Sequence, residues 1–469
     1  MGKETYGISS SGRKRLGELL KEVIEDVKPS KSEIDAAKYA INTIMGRLKI
    51  KSPKDVEILL AGSVARGTQI KGNSDIDIFL LFPRNIKESD IERKGLEIGK
   101  GIVKKGGNES YIVKYAEHPY TRIRWKDYGI SIDIVPAYKI ETAKERGTAV
   151  DRTQLHNEFV NSKLTVRQRD DVRILKAFLK AHSIYGAEAK IEGFSGYLCE
   201  LLVCHYGSFL DVITGMANIR LPVVVDVVKP KGGEKDNAAA VKRFGKNFVV
   251  IDPTDSDRNV AANVSDESLF RLVLISRELL KSHDKKSFYA KGHAEVNSES
   301  MLNVIKDMLQ SNLYALHFNV PEIAEDIIWQ QLKKARIRLQ QSLGENGFQP
   351  IICMQNVDGN DAVMGFFIEN VHAATRKVVG PSLMMGNAVD KFMKAHSGAM
   401  LMYIDCDRIC AIEKARYSNP EKLIRAFLAS RNSLPSNLKA NKASMYVNKL
   451  PERHAKLLYL AYVTRFQIY

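Results

Sequence analysis

Asp75 and Asp77 stand two residues apart at the start of an apolar run, DIDIFLLF, and a third acid, Asp133, lies inside another, ISIDIVP. Successive side chains of a strand point to opposite faces, so acids two apart share one face. Two carboxylates side by side before an apolar strand repel, which raises one pKa unless cations sit between them. A pair of Mg²⁺ ions answers that repulsion, because Mg²⁺ takes oxygen ligands and leaves positions for substrate phosphates. Asp133 is flanked by Ile132 and Ile134, which would point to the opposite face. An acid so placed is costly unless it binds a cation. Two metals held by three carboxylates are the arrangement that supports in-line attack on an α-phosphate.

Gly62-Ser63 precedes the acids by about a dozen residues, in LLAGSVARGTQIKGNSDIDIFLLF (59–82). A glycine lets backbone come close to a phosphate, and the serine hydroxyl and following amides can donate to it. Arg66, three residues on, could neutralise phosphate charge. An acid pair with this spacing is by itself weak evidence, since surface strands and turns carry acids routinely. The glycine-serine turn, the acid pair in an apolar strand and a distant acid in a second apolar strand are far more specific together.

The elements that must position these residues follow from periodicity. Leu16, Leu19, Leu20, Val23, Ile24 and Val27 mark one face of a helix over 11–28, closed by Pro29. Ser30 and Glu33 form a capping-box pattern for a second helix to about Leu48. Val56–Ala61, Ile76–Phe82 and Ile130–Val135 read as strands, with a helix near 88–105 and extended segments at 111–116 and 120–125 between the last two. From 151 to about 281 the pattern is mainly helical, clearest over 167–182, 194–213 and 266–281, with a short strand at 248–251. The basic, polar 229–246 segment reads as a loop or hairpin. Beyond a polar stretch at 282–299, helices are expected near 299–309, 322–343 and 420–430. Strands are expected near 313–320, 350–355 and 362–368.

The chain's 469 residues carry 71 Lys plus Arg against 55 Asp plus Glu, a formal charge of +16. That surplus suits a polyanionic partner. The N-terminus lacks the apolar stretch of a secretory signal, and no run approaches the ~18 apolar residues of a membrane span, so a soluble, cytoplasmic protein with no membrane partner is expected. The basic charge then points to nucleic acid rather than lipid. Five cysteines without CxxC spacing argue against a disulfide framework and against a zinc site. Met384-Met385 reads as core.

These motifs resemble the nucleotidyltransferase superfamily that includes DNA polymerase β, poly(A) polymerases and CCA-adding enzymes, and within it the archaeal (class I) tRNA CCA-adding enzymes. The resemblance extends to YAEHPYTRIRW (115–125), AVDRTQLH (149–156), ILKAFLKAHSIYGAEAKIEGFSGYLCELLVCHYGSFL (174–210) and VVIDPTDSDRNVAAN (249–263). It covers nearly the whole chain, and is looser in the C-terminal third, where PEIAEDIIWQQLKKA (321–335) and RICAIEKARYSNPEKL (408–423) still look related. It implies an α+β multidomain fold. A polymerase-β-like nucleotidyltransferase head would occupy 1–150, a mainly helical base-binding domain 151–285, and a C-terminal tRNA-binding region 286–469.

The resemblance also implies roles. Asp75, Asp77 and Asp133 match the catalytic, metal-binding carboxylates, holding two Mg²⁺. Ser63 and Arg66 match residues that hold the triphosphate. His156, Lys176 and Tyr185 match further nucleotide-binding positions, and Arg258 matches the arginine that reads the incoming base. His118 falls near the same site. Many members have Glu where this chain has Asp75, which is one methylene shorter. The implied activity is template-independent addition of C, C and A to the 3′ end of tRNA from CTP and ATP, with the acceptor stem and T arm as the RNA partner and a homodimer as the assembly. On the residues alone, Lys176 and Lys180 share a polar helix face and read as solvated. His156 alone reads as structural or surface rather than functional. Lys333, Lys334, Arg336 and Arg338 could meet phosphates or simply face water. A poly(A) polymerase-like terminal nucleotidyltransferase and a catalytically silent RNA-binding protein of the same fold are the competing readings.

Overall fold

A five-stranded sheet carries the three acids. The computed structural model describes residues 6–73, 75–104, 108–115, 119–229, 233–289, 297–369, 374–430, 433–439 and 443–466. It divides into two compact units, Met1–Lys291 and Gly292–Tyr469.

The first unit opens with helices α1 (Ser10–Val27) and α2 (Lys31–Lys51). Ser30 caps α2 in a complete capping box, its side chain accepting from the Glu33 amide while Glu33 accepts from the Ser30 amide. Then come β1 (Glu57–Ala61), the short α3 (Gly62–Arg66), β2 (Asp75–Phe82), α4 (Glu88–Gly101), β3 (Glu109–Tyr115), β4 (Pro119–Trp125) and β5 (Ile130–Tyr138). The sheet order is β1-β2-β5-β4-β3, with β2 and β5 parallel and the other pairs antiparallel. Alternation sorts β2 into two faces. Ile76, Ile78, Leu80 and Phe82 join Ile132 and Ile134 beneath Ala40, Ile44 and Leu48 of α2 and Ile91 and Ile98 of α4. The opposite face carries Asp75 and Asp77, then Phe79 and Leu81, which pack in a small cluster with Ala61, Val135 and Ala137.

A helical core follows: α5 (Thr153–Lys163), α6 (Val166–Ala181), α7 (Gly196–Tyr206), α8 (Phe209–Ala217) and, after a short sheet, α10 (Asp266–Ser282). The sheet consists of β6 (Val223–Val225), β7 (Phe248–Asp252) and β8 (Asp255–Asn259), with α9 (Glu234–Phe244) between its first two strands. Helix α1 joins this core rather than the five-stranded sheet, burying Leu16, Val23 and Val27. Each such side chain contributes roughly 1.5–3 kcal/mol by leaving water.

Three expectations fail in this unit. The 229–246 segment is not a loop throughout, because α9 occupies 234–244. Its Ala238, Ala239 and Ala240 favour helix strongly enough to override the polar composition. The single helix expected over 194–213 is two, bent by 90°. Gly207 takes φ +100°, and Ser208 caps α8 by accepting from the Asp211 amide. Lys176 and Lys180 do not share a solvated face: Lys180 is exposed, but Lys176 is 2% exposed.

The second unit contains α11 (Ser298–Met308), β9 (Ser311–Asn319), α12 (Glu325–Glu345), β10 (Pro350–Asp358), β11 (Asp361–Glu369), β12 (Thr375–Ser382), α13 (Gly386–Ala395), β13 (Leu401–Asp405), β14 (Arg408–Lys414), α14 (Pro420–Ala429), α15 (Ser436–Lys439), β15 (Ser444–Val447) and α16 (Glu452–Phe466). Its antiparallel sheets have orders β10-β11-β9-β15 and β12-β14-β13. Two readings are corrected here. Met384 and Met385 are exposed rather than core. Arg336 is buried, and its Nε donates to Gln355 Oε1 at 2.9 Å, so it offers no solvated charge. Lys334 and Arg338 are exposed. All five cysteines are free thiols, and among the described residues no single helix is long and apolar enough to cross a membrane.

Candidate active site

The parallel register of β2 and β5 sets Asp77 directly beside Asp133, and Asp75 beside Ser131. Asp75 is exposed, Asp77 half-buried and Asp133 8% exposed, so the acids form a graded series from solvent inward. Gly62, just past the end of β1, leans on them. It has φ +72°, and a Cβ placed there would fall 1.9 Å from Asp77 Oδ2. Both the left-handed backbone and the close approach demand glycine. Ser63 follows, half-buried in the first turn of α3.

Burial raises the Asp77 carboxyl to about 6, with the Asp133 charge beside it as the next cause and Asp75 adding to it; Arg66 and Arg122 oppose. The cation that accompanies Asp133 is Arg122, its cross-strand neighbour on β4. Arg122 Nε donates to Oδ1 at 2.7 Å and Nη2 to Oδ2 at 2.6 Å. One paired arginine against three carboxylates leaves an acid surplus, and the oxygen-only donor set is the kind that hard divalent cations take.

A second cluster lies under α3. Glu200, fully buried on α7, accepts from Arg66 Nε at 3.1 Å and from Thr68 Oγ1 at 2.6 Å. Lys176 Nζ donates to Thr68 O at 3.0 Å and to Thr68 Oγ1 at 3.1 Å, and stands 3.7 Å from Glu200. Two cations thus meet one acid. Burial pushes the Lys176 ammonium below its usual value, with Glu200 pulling the other way. Tyr185 is half-buried, and burial raises its pKa, so its hydroxyl stays a donor. The Tyr185 hydroxyl and Lys176 Nζ both face Gly196, where a Cβ would meet them at 3.2 and 3.5 Å.

The third cluster centres on Asp252 at the end of β7, 1% exposed. Its Oδ2 pairs with His156 Nε2 at 3.0 Å and accepts from Arg258 Nη1 at 2.9 Å. Its Oδ1 accepts from Tyr197 Oη at 3.1 Å and from the Thr254 amide and hydroxyl. The His156 ring stacks on Tyr197 with centroids 4.0 Å apart. Burial opposes ionisation of Asp252, but the His156 hydrogen bond, its charge, and the Thr254 and Arg258 bonds outweigh it and hold the carboxyl below the usual range.

Arg66 links the three clusters electrostatically. Its charge acts on Asp77, His156, Lys176 and Tyr185. Eight of the nine residues matched to catalytic or nucleotide-binding roles thus fall in or against these clusters, and Ser63 lies in the first turn of the helix that joins the first two. His118 lies outside the described residues. Sequence reasoning missed Arg122, Glu200, Tyr197 and Asp252. Two of these carried a signal: Glu200 is a lone acid in the apolar helix GYLCELLVC, and Asp252 ends the apolar strand FVVID. A buried acid of that kind needs a cationic or hydrogen-bonding partner.

Three family models match the chain. Residues 41–156 match the nucleotidyltransferase domain, 170–289 the second domain of tRNA nucleotidyltransferases, and 310–447 the C-terminal domain of CCA-adding enzymes. A CCA-adding enzyme of Archaeoglobus fulgidus is 33% identical over 418 residues, covering 89% of this chain and 90% of that protein. The chain belongs to the CCA-adding enzyme family. The CCA-adding enzyme of Methanocaldococcus jannaschii is 33% identical over 453 residues, covering 94% of this chain and 95% of its own length. That of Thermoplasma acidophilum is 32% identical over 436 residues, with 91% and 94% covered. As a member of this family the chain is a nucleotidyltransferase, with a mixed α/β multidomain fold. The nucleotidyltransferase match encloses Asp75, Asp77, Asp133 and His156. The second-domain match encloses Lys176, Tyr185, Glu200, Asp252 and Arg258.

Proposed function

We propose that this enzyme adds C, C and A to the 3′ end of tRNA from CTP and ATP, releasing pyrophosphate, with Asp75, Asp77 and Asp133 as the catalytic carboxylates. The observation that carries this reading is the acid surplus on one face of β2 and β5, with Gly62 backbone against Asp77. Three carboxylates answered by one arginine fit a pair of Mg²⁺ ions. When bound, these would neutralise the acids and the triphosphate and make the 3′-hydroxyl a better nucleophile.

The chain's own residues do the positioning. Ser63 and the amides after it offer donors to the triphosphate, which Gly62 allows to approach. Glu200 holds the Nε edge of Arg66, leaving the terminal guanidinium nitrogens, which have no partner among the described residues, for phosphate oxygens. Lys176, on α6, adds a second positive charge beside Arg66 through Thr68, and the neutral Tyr185 hydroxyl lies next to it against Gly196. Asp252 fixes His156 and Arg258, so that Arg258 presents a set edge to the incoming base without a nucleic-acid template. Correct placement supplies much of the acceleration in such transfers.

In this reading residues 1–150 are catalytic, 151–285 bind the nucleotide, and 286–469 bind the acceptor stem and T arm, with exposed Lys334 available to phosphates. The enzyme acts in the cytoplasm as a homodimer. Incubation with Mg²⁺ and a tRNA trimmed of its last three nucleotides tests the reaction. Two C additions with CTP, followed by one A when ATP is supplied, are expected. Long A tails would place the chain with the poly(A) polymerases, and no extension by folded protein would overturn the proposal.

A further inference from the structure

Two histidines and an aspartate, none of them given a role above, meet in the second unit. His317 lies on β9, Asp361 opens β11, and His454 is in the first turn of α16. One potential ligand atom from each lies within 4.8 Å of the other two. The imidazole rings stack nearly parallel, centroids 3.9 Å apart. Their Nε2 atoms approach the same oxygen, Asp361 Oδ1, at 2.7 Å from His317 and 4.0 Å from His454.

A plain ion-pair reading accounts for only part of this. His317 hydrogen-bonds Asp361 Oδ1, and Arg453 reaches Oδ2 at 2.5 Å. His454 is left over. Its side chain is 12% exposed, and its Nε2 stands 4.0 Å from Oδ1, too far for a hydrogen bond. Imidazole nitrogens sheltered from water normally find partners, because leaving one unmade costs free energy. A cation shared by the two Nε2 atoms and Oδ1 would engage His454 and replace the proton now lying between His317 and Asp361. Arg453 on Oδ2 would orient the carboxylate from outside, as groups around metal ligands commonly do.

We propose that His317, Asp361 and His454 bind a divalent ion of the zinc type. Two imidazoles and one carboxylate with room for a water are a ligand set that Zn²⁺ takes readily and Mg²⁺ does not. The site is separate in residues and chemistry from the acid face on β2 and β5, which offers oxygen alone. Cysteine spacing gave no hint of it because no cysteine takes part. Its ligands are 137 residues apart in sequence (317 to 454). They meet only because β9 and β11 pair and α16 packs on the same sheet.

The test uses the full, tag-free chain, stripped with EDTA and then given Co²⁺ or Zn²⁺ in excess Mg²⁺. The expected result is one tightly held Zn²⁺ per chain and, with Co²⁺, the strong visible absorption of a tetrahedral ion. Asp77→Asn should keep both. His317→Asn and His454→Asn, each checked for native circular dichroism, should lose the band and weaken Zn²⁺ binding by more than the ~10–100-fold that changes around a metal's ligands cost. Asp361→Asn is a second, shape-preserving variant with the same expectation. No visible band in the wild-type chain, or a band that survives in the histidine variants, would overturn the proposal. The wild-type measurement decides this even where a variant fails to fold.

Discussion

The acid face on β2 and β5 and the ion-pair clusters beneath α3 and β7 lie in one unit yet are built on opposite principles. On the acid face like charges are gathered, with Arg122 the one cation bonded to them among the described residues. In the other two clusters a single buried acid is met by two basic groups: Arg66 and Lys176 at Glu200, His156 and Arg258 at Asp252. A cluster that serves only the fold gains from charge balance, since an unpaired buried charge costs several kcal/mol. The acid face is short of positive charge and the Glu200 cluster of negative charge, which is what a metal ion and a triphosphate would respectively supply; at Asp252, burial holds His156 below its usual pKa and Arg258 balances the acid. The comparison teaches that the sign of an imbalance says more about a site's partner than the presence of charge does.

Substitutions should separate the two designs, and the largest effect is expected at Asp77. Asp77→Asn should lower transfer by at least about 10³-fold, the size of loss seen when a member of a catalytic unit is removed. It should also stabilise the metal-free fold. Asp77's folded pKa of about 6 lies above its unfolded value, so ionising it at pH 7 weakens the fold, and Asn removes that penalty. Urea unfolding in EDTA should show a gain on the order of 1–2 kcal/mol. Glu200→Gln should do the reverse. It strands Arg66 and Lys176, and unfolding should show a loss of about 3–5 kcal/mol, with Mg²⁺ dependence intact wherever the chain stays folded.

Gly62→Ala sharpens the comparison at the acid face. A methyl group there collides with Asp77 and strains a left-handed backbone, so transfer should fall about 10²-fold while global stability changes far less. The smallest effect is expected at Asp252. Asp252→Asn should raise KM for the nucleotide and cost roughly 1–3 kcal/mol of stability at pH 7. Because the folded carboxyl lies below its unfolded value, wild-type stability from this group is full above that unfolded value and drains away as pH falls below about 5. The variant should lack that part of the acid dependence, as unfolding at several pH values would reveal. An Asn variant with an unchanged acid limb would show that Asp252 is not the balanced centre described here.

The strands were the most legible part of the chain. Alternation in IDIFLLF and ISIDIV specifies which residues face the helices, so the acids' shared face could be read directly. Only pairing puts Asp77 beside Asp133, and there two parallel strands supply it. The resemblance singled out Lys176 when its helix pattern pointed to solvent, because the partner that buries it, Thr68, is 108 residues away. Arg122 escaped notice for a related reason: a hairpin register, not local pattern, sets it opposite Asp133. Local rules also misjudged α9, where alanine propensity outweighed a polar composition. They misjudged the α7–α8 break too, where Gly207-Ser208 interrupted an otherwise continuous apolar run.

Single-turnover extension of trimmed tRNA by CTP, followed across Mg²⁺ concentrations for wild type, Asp77→Asn and Glu200→Gln at a temperature where all three are folded, tests the central claim most directly. The account predicts a rate that rises with Mg²⁺ for wild type and Glu200→Gln, and almost no extension by Asp77→Asn at any Mg²⁺ concentration. Extension by Asp77→Asn at the wild-type rate and with the wild-type Mg²⁺ dependence would contradict it.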